Sequence, residues 1–91
     1  MASEKNVTII NETGLHARPA SQFVQKAGKF KSEIQIVFEE KEVNAKSIMG
    51  VMSLGIGQGK EITLRAEGVD EVEAINELEN FIKTEMVEED N

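Results

Sequence analysis

Residues 13–20 read T-G-L-H-A-R-P-A and hold the only histidine and the only proline of a 91-residue chain. Proline lacks a backbone donor, and the first turn of a helix is where that loss costs least, because donors there have no partner within the helix. Pro19 therefore marks a helix start. Behind it Ala20, Phe23, Val24 and Ala27 keep the i, i+3, i+4, i+7 spacing of one apolar face. The pattern predicts a helix over residues 17–27, with His16 just ahead of it and Arg18 inside its first turn. An arginine there opposes the partial positive charge of the helix N-terminus. What suits the site is an anion: free N–H groups, the dipole and a guanidinium would converge on a phosphate near His16. The same field disfavours protonated imidazole, whose unperturbed pKa of about 6.5 already leaves a neutral, nucleophilic fraction at neutral pH. The ordinary alternative is a surface or capping histidine beside a surface arginine.

Working outward, residues 7–10 form a β-branched run that reads as a first strand, ended by the polar turn 11–14. After the helix, Gly28 is a stop and Phe30 an apolar anchor. Ile34, Ile36 and Phe38 alternate as a second strand, and residues 42–45 pair back on it as a hairpin across the turn 39–41. Ser47 is a candidate N-cap for a short apolar helix over 48–54, because its hydroxyl can accept from a first-turn donor. Gly55, Gly57 and Gly59 end that helix and lack the strand-before-helix context of a nucleotide loop. Ile62, Leu64 and Ala66 mark a fourth strand. From Asp70 a last helix groups Val72, Ile75, Leu78, Phe81, Ile82 and Met86 on one side. The tail 87–91 reads as frayed and solvated. The order β-α-β-β-α-β-α, with one apolar face per strand, predicts a single α+β domain over 1–91. It is an open-faced β-sandwich, a four-stranded antiparallel sheet covered on one side by three helices. The pattern alone fits a ferredoxin-like domain equally well.

Composition narrows the function. Ten basic against 17 acidic residues give a net charge of −7, which argues against a nucleic-acid partner or an anionic membrane and for a basic or neutral protein surface. There is no cysteine and only one histidine, so thiolate and imidazole-cluster metal sites are excluded. No stretch reads as a secretion signal or a membrane span, so the expected location is the cytoplasm. Nothing calls for an oligomer, and a monomer is expected.

The stretch at 13–20, followed by K-S-I-M-G-V-M-S-L-G at 46–55, resembles HPr, the histidine-containing phosphocarrier family of the phosphoenolpyruvate:sugar phosphotransferase system. Both motifs match in order and at the family's separation, and the resemblance covers nearly the whole chain. It implies the open-faced sandwich. It also implies a carrier, not an enzyme, with His16 bearing the phosphoryl group on its δ nitrogen between enzyme I and a sugar-specific enzyme IIA. Arg18 would neutralise the phosphoryl oxygens, the backbone N–H groups of Ala17 and Arg18 would hold them, and Pro19 would set the helix geometry and belong to the partner-binding residues. Ser47 matches the serine that an ATP-dependent HPr kinase/phosphorylase marks in Gram-positive relatives, which would bring in a catabolite control protein. Residues matching Ile48, Met49 and Met52 would dock these partners, although core packing is their commonest explanation. No cofactor is implied: the phosphoryl group comes from phosphoenolpyruvate, and a separate kinase would use the ATP. Gln22-Phe23 is like enteric members and 48–50 like Gram-positive ones. The competing readings are a carrier of the nitrogen-regulatory branch and a small binding module that never carries phosphate.

Overall fold

The computed structural model describes residues 2–15 and 17–85. Its elements are β1 (Ser3–Thr8), α1 (Ala17–Ala27), β2 (Glu33–Phe38), β3 (Lys41–Asn44), α2 (Ile48–Ser53), β4 (Glu61–Glu67) and α3 (Glu71–Asn80), which runs on as a π-helical turn, Phe81–Glu85. The strands form one antiparallel sheet in the order β1-β4-β2-β3. The three helices cover one face, as the alternation in the strands predicts.

The core forms where the periodicities meet. Ile34, Ile36, Ile62, Leu64 and Ala66 point from the sheet into Ala20, Phe23 and Ala27 of α1 and Ala74, Ile75 and Leu78 of α3, all under 5% exposed. Phe23 meets Phe81 with ring centroids 6.2 Å apart and tilted by 53°, within the contact distance of an aromatic pair. The opposite face stays polar. There Arg65 ties three strands together, its Nε donating to Glu4 on β1 (2.8 Å) and its Nη1 to Glu42 on β3 (2.9 Å). Those carboxylates raise the guanidinium pKa further.

Several boundaries differ from the sequence expectation. β1 covers Ser3–Thr8 and not 7–10, because β4 offers six paired positions from Ala66 to Glu61, and a ladder outweighs side-chain propensity at a sheet edge. Ile9 and Ile10 leave the ladder, although Ile9 still exchanges hydrogen bonds with the segment before β4. Only Val7 of β1 is buried. The strand is held to α3 instead by Ser3 Oγ–H donating to Glu71 (2.6 Å) and by the Lys5–Glu79 ion pair (3.0 Å). β3 begins one residue early because the turn is only Glu39-Glu40, with Glu39 at φ +57. In α3, Val72 is 61% exposed and Ala74 is buried, because the buried arc is centred near Leu78 and Val72 falls beyond its edge. Met86 and the tail 87–91 lie outside the described residues.

Asp70 stands just before α3 but makes no side-chain cap on it. Its carboxylate reaches back to the loop after α1, accepting from Lys31 N (2.8 Å), Ser32 N (2.9 Å) and Ser32 Oγ (2.5 Å).

Candidate functional site

The chain approaches α1 through a turn fixed at Asn11, Gly14 and Leu15. Asn11 is 2% exposed, and its Nδ2 donates to Gly14 O (2.8 Å) and, more weakly, to Thr13 Oγ1 (3.3 Å). Gly14 N donates to Asn11 O, closing a turn, and Leu15 N donates to Ile56 O (3.0 Å) while its side chain enters the core. Gly14 has φ +65, and a Cβ there would stand 2.3 Å from Ile56 O. Only glycine fits. On the other side Gly59 N donates to Ile9 O (2.7 Å) and Gln58 Nε2 to Ile10 O (3.1 Å). The loop ahead of α1 is thus clamped against the loop that follows α2.

His16 lies outside the described residues. The two residues after it are exposed: Ala17, first in α1 with φ +37, and Arg18 in the first turn. The first turn of α1 has no acidic side chain, so no carboxylate from within the helix meets its positive end. Pro19, expected both to set the helix geometry and to bind partners, is buried. Its ring packs inward, because the first-turn position that suits proline lies here on the helix face turned to the core.

α2 lies beside α1. It starts where Lys46 Nζ donates to Phe30 O (2.8 Å), beyond the C-terminus of α1, and ends next to Ile56, beside the clamped loop. Ser47 is its N-cap, with Gly50 N donating to Ser47 Oγ (3.1 Å), as the sequence predicts. Leu54 follows as C-cap and Gly55, at φ +61, turns the chain away. The helix divides its apolar residues cleanly: Val51 and Leu54 are buried, while Ile48, Met49 and Met52 are 36%, 78% and 41% exposed. The structure therefore brings together an exposed helix N-terminus with an arginine and, along its flank, an exposed apolar face that begins at a serine.

Sequence reasoning missed Asn11, Leu15 and Ile56. An asparagine three residues before a glycine after a strand is a turn signal, but nothing local shows that it is buried or that Leu15 and Ile56 lock two loops together.

Residues 3–84 match the family model described as the phosphotransferase-system HPr component phosphorylation site. Among solved structures, HPr-C-His from Thermoanaerobacter tengcongensis is 54% identical (TM-score 0.90), with 92% of this chain and 94% of that one covered. The phosphocarrier protein HPr from Bacillus anthracis is 47% identical (TM-score 0.87), covering 89% and 96%. Crh, the Bacillus subtilis catabolite repression protein, solved as a domain-swapped dimer, is 50% identical (TM-score 0.73), covering 79% and 83%. With the clamped loop, the arginine-bearing helix start and the serine-capped α2 all lying within the matched span, the chain belongs to the HPr family, the phosphocarriers of the phosphotransferase system.

Proposed function

We propose that this chain relays a phosphoryl group on His16 from phosphorylated enzyme I to a sugar-specific enzyme IIA. The observation that supports this best is the exposed, arginine-bearing N-terminus of α1 directly after His16. A neutral imidazole Nδ1 attacks phosphorus, an N–P bond forms as the donor's bond to phosphorus breaks, and the return step reverses this on the acceptor. Ala17 and Arg18 supply backbone donors and Arg18 a cation that spreads the phosphoryl charge. Ile48, Met49 and Met52 form the docking face, and their exposure suits a carrier that must meet two partners in turn. The chain needs no cofactor of its own and acts in the cytoplasm as a monomer, for which light scattering should give a mass independent of concentration.

Incubation with phosphoenolpyruvate and enzyme I is expected to add one acid-labile phosphoryl group to His16, mapped by mass spectrometry and absent from His16→Ala. Arg18→Ala should slow transfer about 10- to 100-fold, the loss of one charge-stabilising contact. No phosphate on His16, with an enzyme I active on another HPr, would overturn the reading.

Ser47 is the proposed second site, marked by an HPr kinase/phosphorylase using ATP and read by a catabolite control protein. The 50% identity to a catabolite repression protein favours it. Acid-stable phosphate on Ser47 after incubation with such a kinase is the expected result, and its absence would remove this role.

A further inference from the structure

Among the described residues the core contains no sulfur. Every buried apolar side chain is aliphatic or aromatic, and the two methionines among the described residues, Met49 and Met52, are both on the outer face of α2. The chain has four methionines and no cysteine; Met1 and Met86 lie outside the described residues. Met49 and Met52 are three residues apart on the helix, hence neighbours on its surface, and Ile48 stands four residues before Met52 on the same side. Two of the three exposed apolar side chains of this face are thioethers. Oxidation to the sulfoxide would turn a flexible apolar side chain into a polar one at both positions.

We propose that Met49 and Met52 are a modification site at which peroxide reversibly switches off partner docking while leaving the fold intact. The inference rests on the reading of α2 as the docking face. In the chemical step a sulfur lone pair attacks one oxygen of hydrogen peroxide. The S–O bond forms, the O–O bond breaks, and proton transfer to the departing oxygen releases water. Sulfur loses two electrons and the peroxide gains them. The fold is insulated because Val51 and Leu54 carry the burial of α2 and the Ser47 cap anchors its start, so neither thioether holds the helix in place. Docking is not insulated, because an apolar partner surface that closed over a sulfoxide would have to desolvate its oxygen without a hydrogen bond.

The test compares the protein before and after hydrogen peroxide, desalted, with sulfoxides mapped by mass spectrometry and phosphoryl uptake from enzyme I followed kinetically. Oxidation at both residues is expected to raise the KM for this chain about ten-fold with little change in kcat, and to leave the thermal midpoint where it was. Methionine sulfoxide reductase supplied with a dithiol should restore the KM: the dithiol is oxidised to a disulfide, and the sulfoxide oxygen leaves as water. In Met49→Leu/Met52→Leu the oxidised and reduced samples should have the same KM, whatever its starting value. An unchanged KM with both sulfoxides present overturns the proposal, as does an equal rise in the leucine variant, which would place the sensitive group elsewhere. Failure of the reduced wild type to accept phosphate would instead sink the carrier reading itself, and that arm is complete before any oxidant is added.

Discussion

Gly14→Ala is expected to lower stability by about 3 kcal/mol and the thermal midpoint by about 15 °C. Two costs add. Alanine at φ +65 enters a left-handed region that an L side chain rarely occupies, at about 1 kcal/mol, and its Cβ would stand 2.3 Å from Ile56 O and 2.8 Å from Gly57 Cα. Both neighbours are backbone, so no rotamer change relieves the contact. The two loops must separate, and with them the Leu15–Ile56 hydrogen bond that holds the approach to His16. Gly57→Ala is the control. Its Cβ would meet nothing within 4 Å and its φ lies outside the left-handed region, so its midpoint should stay within a few degrees of the parent's. Circular dichroism melts of both variants decide the matter. A Gly14→Ala protein as stable as Gly57→Ala would mean that the loops are not locked together.

That contrast shows which parts of the fold can be read from local sequence. The span of α1, the Ser47 cap and the inward residues of β4 follow from spacings within a dozen residues, and the structure reproduces them. Which side of α2 is buried is not legible: Val51 is buried and Ile48, Met49 and Met52 are exposed, and a helix of under two turns is too short for its period to show this. What else could not be read is long-range. β1 takes its register from β4, some 60 residues away, and its inner face is closed by polar contacts to α3, so it lacks an alternating apolar signature over its first half. Val72 satisfies the helical period yet faces solvent, since periodicity gives a face and not its width. At the site, Arg18 stands out because it breaks the dipole rule, whereas Asn11 obeys every local rule of a turn residue and so gives no sign of being buried.

Asp70 carries the other large expected effect, and pH identifies it. Its carboxyl is held down at about 2, first by the Ser32 hydroxyl and then by the Lys31 backbone N–H, against an ordinary value of 3.8. A depressed pKa means that the folded state favours the charged form. The stabilisation is therefore complete above pH 4 and is lost as the pH falls through about 2. Asp70→Ala removes all three accepted hydrogen bonds. Lys31 N is exposed and can turn to water, but Ser32 is 1% exposed, so its N–H and hydroxyl would be left without an acceptor. Gly68 prevents relaxation: Ser32 Cα lies 2.6 Å from where a Cβ at Gly68 would be, so the two backbones are already in close contact. The midpoint of Asp70→Ala at pH 7 is expected to fall by ~10 °C. Asp70→Asn should lie between, because its Oδ1 still accepts from Ser32 while its amide nitrogen faces the Lys31 donor. As the pH falls from 4 to 2 the parent should descend toward the asparagine variant, since a protonated Asp70 is nearly its equivalent. Glu71 and Glu79, also held below the ordinary carboxylate range by Ser3 and Lys5 respectively, titrate alike in all three proteins and cancel in the difference. A gap between parent and Asp70→Asn that stays constant from pH 7 to pH 2 would mean that the charge of Asp70 does not hold the loop. The latch would then be one of shape alone.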